Sequence, residues 1–255
     1  MRVLSLTLIF LLLSLAAHAS VDLSHQQAYV AKLMVTSMKT RMGRVSKVTE
    51  VEGTGFVYDH NLIMTNSHNF FVFDDLNKKF VSADAKVACE SISFRFTKGK
   101  KTKSYKCSNI LVNEPKLDIL IVEVDKDPLE FIEREPLEFA PVVPGKAYSL
   151  HYDESIKQFE IPESQMNSKG AVKIHYFSSI VDTRLSSEGR ALSGRFGSVL
   201  EYTEETNKFI HGDSGSPIFS PEGQLIGIGW GSFKGTNKNA YMPLWIFLNV
   251  MNAFR

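Results

Sequence analysis

The segment FIHGDSGSPIF, residues 209–219, dictates a tight turn that leads straight into an apolar strand. Gly212 and Gly215 flank Asp213 and Ser214, so the backbone can turn sharply here and direct its N–H groups at one point. Ser214 is therefore a candidate hydroxyl nucleophile. Because most Gly-Asp-Ser-Gly segments are ordinary loops, a general base and an orienting carboxylate must come from elsewhere in the chain.

His68 is the candidate for the general base. Residues 53–58 and 62–64 are typical of a β-hairpin around the turn Asp59-His60-Asn61, and the second strand ends at Thr65-Asn-Ser-His68. A histidine at the end of a strand can face a cleft instead of a core. Most of the seven histidines must nevertheless be surface or core residues, and that alternative stands for His68 as well.

Asp118 is the candidate for the orienting carboxylate. It stands at the head of the apolar run from Leu117 to Val124, which predicts a strand buried on both faces. A carboxylate in that position loses its water and needs a donor, because aspartate is almost never buried without a partner. The imidazole of His68 is the natural donor, and a simple aspartate at a strand start is the alternative.

The N-terminus has the features of an export signal. Residues 1–19 carry Arg2, an apolar run and the small-x-small ending Ala17-His-Ala19, which predicts a secretory signal peptide rather than a membrane anchor. Residues 20–45 are interpreted as an N-terminal arm or propeptide. This segment includes a patch with helical character, Ala28 to Met38, and sites for a processing cut after Arg41 or Arg44, and a first strand is the alternative interpretation.

Cysteine content, charge and metal patterns narrow the function classes. Export is compatible with a disulfide between Cys89 and Cys107, with two free thiols as the alternative. Lys and Arg number 29 against 28 Asp and Glu, so no global charge favours nucleic acid or an anionic surface. The lysine-rich tip 97–103 is interpreted as a solvated loop, and no metal-ligand spacing is found.

The remaining chain predicts an all-β architecture with a terminal helix. The proline-rich stretch 127–145 is interpreted as the connection between two β units. Alternating polar and apolar residues predict further strands at Ala147–Tyr152, Val172–Phe177, Ser179–Arg184 and Leu225–Gly231. The closing segment Met242–Phe254 has helical character after Pro243.

Taken together, these motifs resemble the trypsin-like (chymotrypsin-fold) serine endopeptidases, and most of all the bacterial glutamyl-endopeptidase or V8-like type. The matching pieces follow the family's order of histidine, aspartate and serine. They are Gly53-Thr-Gly-Phe56, Thr65-Asn-Ser-His68, Leu117-Asp-Ile-Leu120, Gly212-Asp-Ser-Gly-Ser-Pro217 and Ile226-Gly-Ile-Gly-Trp-Gly231.

The resemblance implies two antiparallel six-stranded β-barrels with the active site between them and a short C-terminal helix. Residues 46–140 would form the first barrel, and residues 141–255 the second barrel with the helix. His68 and Asp118 would then lie on the first barrel and Ser214 on the second, as base, orienting carboxylate and nucleophile. The backbone N–H groups of Gly212 and Ser214 would form the oxyanion hole.

The family's substrate pocket is matched by residues around the nucleophile and on the following strand: Phe209, His211, Gly229, Trp230 and Gly231. Glutamyl endopeptidases have a histidine at the position of Gly229 and a small hydroxyl residue at that of Phe209, so glutamate specificity is not expected. Asp213 would pair either with a new N-terminal amine after processing, as in trypsin-like zymogens, or with local backbone N–H groups.

The sequence thus predicts a secreted or periplasmic serine endopeptidase that acts on protein or peptide substrates through an acyl-enzyme. We expect a monomer without cofactor or metal, with no nucleic-acid partner and no membrane association after signal cleavage. The alternatives are a catalytically silent or zymogen-like family member that serves as a binding module, and an unrelated secreted β-sandwich with a coincidental loop.

Overall fold

We describe the protein from a computed structural model. The structure describes residues 22–41, 44–74, 79–82, 89–114, 118–161, 200–203, 209–210, 212–232, 238–244 and 248. The signal-peptide prediction, the predicted strands between residues 172 and 184, and most of the predicted C-terminal helix lie outside these ranges. Within them, no helix has the length and apolarity needed to cross a membrane.

The first β unit is a closed barrel of six strands in the order β1-β2-β3-β8-β7-β6, all neighbours being antiparallel. Its strands are β1 Val30–Arg41, β2 Arg44–Asp59, β3 Leu62–Thr65, β6 Ile92–Lys98, β7 Lys101–Glu114 and β8 Ile119–Val124. Between β3 and β6 the strands β4 Phe71–Asp74 and β5 Lys79–Ser82 form a separate antiparallel pair.

Strand β1 occupies most of the patch from Ala28 to Met38 for which helical character was predicted. It pairs with β2 from Val30 to Arg41 and with β6 from Ala31 to Val35. The pairing on both edges supplies backbone hydrogen bonds that a short isolated helix cannot match in water. The helical character was therefore wrongly predicted, whereas the alternative of a first strand agrees with the structure.

Aromatic side chains fill the barrel. Phe56, Phe94, Phe96 and Tyr105 are fully buried, and the rings of Phe96 and Tyr105 meet edge to face with centroids 5.6 Å apart. Burying a large apolar side chain stabilises the fold by roughly 1.5–3 kcal/mol. This packing makes the barrel a rigid support for the loops at its rim.

The second β unit is a six-stranded sheet in the order β10-β9-β12-β13-β14-β11. Its strands are β9 Gly145–Leu150, β10 Ile156–Ile161, β11 Leu200–Thr203, β12 Pro217–Phe219, β13 Leu225–Ser232 and β14 Lys238–Pro243. In the part of the chain that the structure describes, this sheet does not close, so the expectation of two closed barrels is met only by the first. Strand β14 ends at Pro243, the residue after which the helix was predicted.

The proline-rich connection contains the short helix α2 Pro128–Ile132, which follows the even shorter α1 Ser24–Gln27. The carboxylate of Asp127 accepts a hydrogen bond of 2.8 Å from the N–H of Leu129, and proline occupies the first turn. Beyond the helix, Leu137 donates its N–H to Tyr58 of the barrel, whereas Leu225 of the second sheet donates to Glu138. The connection thus bonds to both β units.

Cys89 and Cys107 form a disulfide, with their Cα atoms 5.2 Å apart. The bond joins the turn before β6 to strand β7 and spans 18 residues of sequence. A loop of that size gains about 3 kcal/mol in the chain-entropy estimate. The alternative of two free thiols was wrong.

Candidate active site

Strand pairing in the barrel brings His68 and Asp118 together. His68 lies in the 3-10 turn Ser67–Phe70 that follows β3, and Asp118 directly precedes β8. Because β3 and β8 are antiparallel neighbours with Thr65 opposite Leu120, the end of one strand meets the start of the other. Two residues separated by 50 positions thus become neighbours at one rim of the barrel.

Both carboxylate oxygens of Asp118 are used by His68. One accepts the backbone N–H of His68 at 2.7 Å, and the other lies 2.7 Å from the ring atom Nδ1. Asp118 is fully buried, and its φ of +56° lies in the left-handed region that non-glycine residues seldom adopt. In the neutral ring this contact places the proton on Nδ1 and makes Nε2 the acceptor.

The strained backbone of Asp118 is held by two further bonds. Its carbonyl oxygen accepts the N–H of Ser67 and the side-chain amide of Asn66, each at 3.2 Å. Strain of this kind persists only where the surroundings over-determine it. The turn around His68 therefore holds both the carboxylate and the backbone carbonyl of Asp118.

Ser214 lies in the turn before β12, between two glycines with positive φ, +99° at Gly212 and +89° at Gly215. Its hydroxyl donates to the carbonyl oxygen of Trp230 at 3.1 Å rather than to the ring of His68. The Trp230 ring in turn meets the His68 ring edge-on, with centroids 6.5 Å apart. Trp230 thus contacts both the nucleophile candidate and the base candidate, and no direct hydrogen bond joins Ser214 to His68.

Thr54 of strand β2 binds the Ser214 turn to the barrel. Its N–H donates to the Ser214 carbonyl at 2.9 Å, and its hydroxyl donates to the Gly212 carbonyl at 2.7 Å. The Asn69 amide adds a 3.4 Å bond to the same Ser214 carbonyl. A side chain at Gly215 would overlap the carbonyl oxygen of Thr54, so the contact depends on glycine there.

Sequence reasoning missed the roles of Thr54 and Asn69. Thr54 lies inside the Gly-Thr-Gly-Phe motif and Asn69 directly follows His68, so both were within reach of the motifs quoted above. Neither residue type carries a signal for a bond to a carbonyl more than 140 positions away. The contact could be recognised only once the two β units were placed side by side.

Asp213 is a second buried carboxylate, directly before Ser214. It accepts the N–H of Ile210 at 2.7 Å, pairs with the Nζ ammonium of Lys157, and lies 3.0 Å from Nδ1 of His151. Of the two alternatives that the sequence left open, local backbone N–H groups supply one of these partners. The two side-chain partners, Lys157 and His151, were not foreseen.

The environment of Asp213 contains opposing effects on its pKa. Burial alone would raise the pKa of Asp213, but the His151 ring, the Lys157 ammonium and the Ile210 N–H together hold it below its usual value. The Nε2 atom of His151 is buried without a hydrogen-bond partner among the described residues, so Nδ1 is the ring atom through which His151 bonds.

The residues predicted to bind substrate lie as follows. Phe209 is 3% exposed, and its ring lies so close to Gly229 that a Cβ there would come 2.5 Å from the ring atom Cε2. The same ring meets His151 edge-on at 5.5 Å. The Trp230 ring is beside the His68 ring. A Cβ added at Gly231 would meet no atom within 4 Å. His211 lies outside the described residues.

Among the residues that the structure describes, no three histidine, cysteine, aspartate or glutamate side chains are grouped in a way that could hold a metal ion.

The Asp213 network predicts a specific pH dependence of stability. Because the folded pKa of Asp213 is depressed, its contribution is present above the unfolded value of about 3.9 and is lost as the pH falls through the folded pKa. Asp213→Asn should therefore lower the free energy of unfolding by roughly 3–5 kcal/mol at neutral pH, since it removes the buried carboxylate that pairs with the Lys157 ammonium. Urea unfolding at pH values from about 7 to 3 measures the difference, which should shrink at the acid end.

The control is Glu160→Gln, an exposed residue on the same strand as Lys157. Its difference from wild type should be small at every pH. An Asp213→Asn penalty that stays constant down to the lowest pH would contradict the prediction.

Several solved structures are similar to this chain in fold. The HtrA-type protease AlgW with a decapeptide has a TM-score of 0.59 at 13% identity, with 91% of this chain and 66% of that chain covered. An inactive form of Rv3671c from M. tuberculosis H37Rv has a TM-score of 0.51 at 16% identity, covering 93% and 96%. Deg5 has a TM-score of 0.52 at 13% identity, covering 89% and 88%. The chain spans slightly less than two thirds of the AlgW chain.

Comparison with curated proteins finds no match. A sequence profile of the trypsin-like peptidase domain, in contrast, matches residues 53–228. This range contains His68, Asp118 and Ser214. It covers every motif quoted above completely except the last, which continues to Gly231. The chain therefore belongs to the trypsin-like peptidase domain family, and its fold is that of a serine protease.

Proposed function

We propose that the protein is a serine endopeptidase that hydrolyses peptide bonds with Ser214, His68 and Asp118 as its catalytic triad. The observation that carries the proposal is the double contact between Asp118 and His68, at 2.7 Å to both the backbone N–H and Nδ1. A fully buried carboxylate needs hydrogen-bond donors, and here both of its oxygens bond to His68. It orients an imidazole whose Nε2 is then available as an acceptor, beside a serine in a glycine-flanked turn.

In the proposed mechanism the Ser214 hydroxyl leaves the Trp230 carbonyl by rotation of its side chain and turns toward Nε2 of His68. As Oγ attacks the peptide carbonyl, His68 takes the hydroxyl proton and later delivers it to the leaving amine. Asp118 stabilises the imidazolium that forms. Water then hydrolyses the acyl-enzyme by the same steps, with His68 again as the base.

The negative charge that develops on the substrate oxygen requires donors in fixed positions. We assign this role to the backbone N–H groups of Gly212 and Ser214. Their support comes from the barrel side, because Thr54 binds the carbonyl groups of the same two residues. Removing one such donor in other enzymes costs about 10²–10³ in rate.

A second candidate function is a catalytically silent or zymogen-like protein that binds other proteins. The observation in its favour is the hydrogen bond of the Ser214 hydroxyl to the Trp230 carbonyl, which leaves Ser214 and His68 unpaired with each other. Catalytic hydrogen bonds in ligand-free enzymes are often poorly aligned, so this bond fits a resting enzyme equally well. Reaction with an active-site probe separates the two functions.

The triad is tested by labelling with a fluorophosphonate probe. We expect Ser214→Ala to abolish labelling and His68→Ala to reduce it to background, while Asp118→Asn should lower kcat for a peptide substrate by about 10⁴ because the ring takes the wrong tautomer. Ser104→Ala, an exposed serine on β7, serves as the control. Undiminished labelling of Ser214→Ala would contradict the proposal, and so would a folded wild-type chain that is not labelled at all.

The support of the turn by Thr54 yields a matched pair of variants. Thr54→Val keeps the shape of the side chain but removes the donor to the Gly212 carbonyl, whereas Thr54→Ser keeps a hydroxyl. Leaving a buried carbonyl unsatisfied costs about 1–3 kcal/mol, so Thr54→Val should slow fluorophosphonate labelling about tenfold or more. The rate constant of Thr54→Ser should remain near that of wild type, and equal rates for both variants would exclude this role.

The primary pocket is proposed to be shallow. The family resemblance assigns Phe209 and Gly229 to its wall, and the Phe209 ring packs directly against Gly229. A large side chain of a substrate would need the space that this ring fills. We therefore assign a preference for small residues before the cleaved bond, in place of the glutamate preference of the V8-like type.

Digestion of a peptide library tests the pocket. Wild type should cut after small residues, and Phe209→Leu should extend cleavage to larger ones because it shortens the side chain with less loss of core packing than alanine would cause. Phe96→Leu, whose ring belongs to the separate core cluster of the barrel and packs against Tyr105, controls for general loosening of the fold. Unchanged selectivity in Phe209→Leu would show that the ring does not limit the pocket.

The place of action is proposed to be outside the cytoplasm, in the periplasm or the medium. The support is the signal-peptide pattern of residues 1–19 together with the Cys89–Cys107 disulfide, because disulfides persist in oxidising compartments. The proposal includes a monomer that uses neither metal nor cofactor and takes protein or peptide substrates.

A further inference from the structure

The carboxylate of Asp213 ties three separate segments to the residue before the nucleophile. Lys157 comes from strand β10, His151 follows strand β9, and the Ile210 N–H belongs to the chain just before the turn. The side chains of Lys157 and Asp213 are 14% and 3% exposed, so this is a buried ion pair and not a surface contact. A buried pair of charges needs good geometry and further hydrogen bonds to offset its loss of water.

The three donors leave Asp213 well satisfied. His151 also bonds through Nδ1 to the Ser216 hydroxyl at 2.8 Å, and that hydroxyl donates to the Asp213 carbonyl. The network thus holds the side chain and the backbone of Asp213 together. Because Gly212 and Ser214 are its direct neighbours, the orientation of their N–H groups depends on how Asp213 is held.

The Lys157 ammonium is itself held in place. It lies 5.7 Å from the centroid of the Phe209 ring, a distance at which a cation is attracted to an aromatic face. His151 is anchored from the other side, since the Gln27 side chain of α1 donates to its carbonyl oxygen at 2.8 Å. Both side-chain partners of Asp213 are therefore preorganised, Lys157 by Phe209 and His151 by Gln27.

We infer that Lys157 is a positioning residue for the oxyanion-stabilising turn, and that its ammonium does for Asp213 what a newly cut N-terminal amine would otherwise do. The inference rests on the proposed function. It implies that the chain reaches its active conformation without a cut after Arg41 or Arg44. Those residues face each other at the end of the β1–β2 hairpin, where twelve residue pairs hold the two strands together.

The first test compares three lysine variants by fluorophosphonate labelling and by peptide hydrolysis. Lys157→Met removes the charge but keeps the length of the side chain, and should slow labelling on the order of 10²-fold, the loss expected for one misplaced oxyanion donor. The loss should fall on kcat with little change in KM, because the turn and not substrate binding is disturbed. Lys157→Arg should recover most of the rate, and Lys146→Met, an exposed lysine on neighbouring β9, should match wild type.

The second test concerns processing and does not depend on whether Lys157→Met folds. A chain with Arg41→Gln and Arg44→Gln, verified as uncut by its mass, should be labelled as fast as wild type. Labelling that appears only after a cut in this region, or a folded Lys157→Met with wild-type kcat, would overturn the inference. If wild type itself is never labelled, whether cut or uncut, the proposed function fails and not the role of Lys157 alone.

Discussion

The candidate site depends on a direct backbone contact between strand β2 of the barrel and the Ser214 turn. Thr54 bonds to the carbonyls of both Gly212 and Ser214. A side chain at Gly215 would overlap the carbonyl oxygen of Thr54. The positive φ of Gly215 adds a second reason for glycine, since other residues are strained in that region. This contact places a turn of the open second sheet at the rim of the closed barrel, where His68 and Asp118 already lie.

Two buried aspartates then organise the chemistry on either side of the contact. Asp118 bonds to His68, the proposed base, and Asp213 holds the turn that carries Ser214, the proposed nucleophile. Each is saturated with donors, as a carboxylate removed from water must be. They differ in the source of their donors: Asp118 depends on one residue of the same barrel, whereas Asp213 gathers Lys157, His151 and a backbone N–H from three segments. Loss of either network would leave a buried carboxylate without its hydrogen-bond donors.

Several elements followed from local patterns, and the departures have physical causes. The hairpin around residue 60, strand β8 after Asp118, strand β9 and strand β13 follow from alternation and apolar runs. The patch at Ala28–Met38 became a strand because pairing with β2 and β6 outweighs weak helical propensity. The short helix α2 inside the proline-rich connection follows from Asp127 as N-cap and Pro128 in the first turn, a local signal that the proline content concealed.

The sequence by itself determined which residues are the candidates for the proposed chemistry: a serine between glycines, a histidine at a strand end and an aspartate whose apolar surroundings require a hydrogen-bond donor. These are short-range consequences of backbone freedom and burial. Only the tertiary structure decided the partners of Asp213 and the role of Thr54, because those bonds join residues 56 and 158 positions apart. It also decided that Phe209 turns into the core against Gly229. Such contacts depend on how two β units pack together, and no local pattern in a single chain encodes that packing.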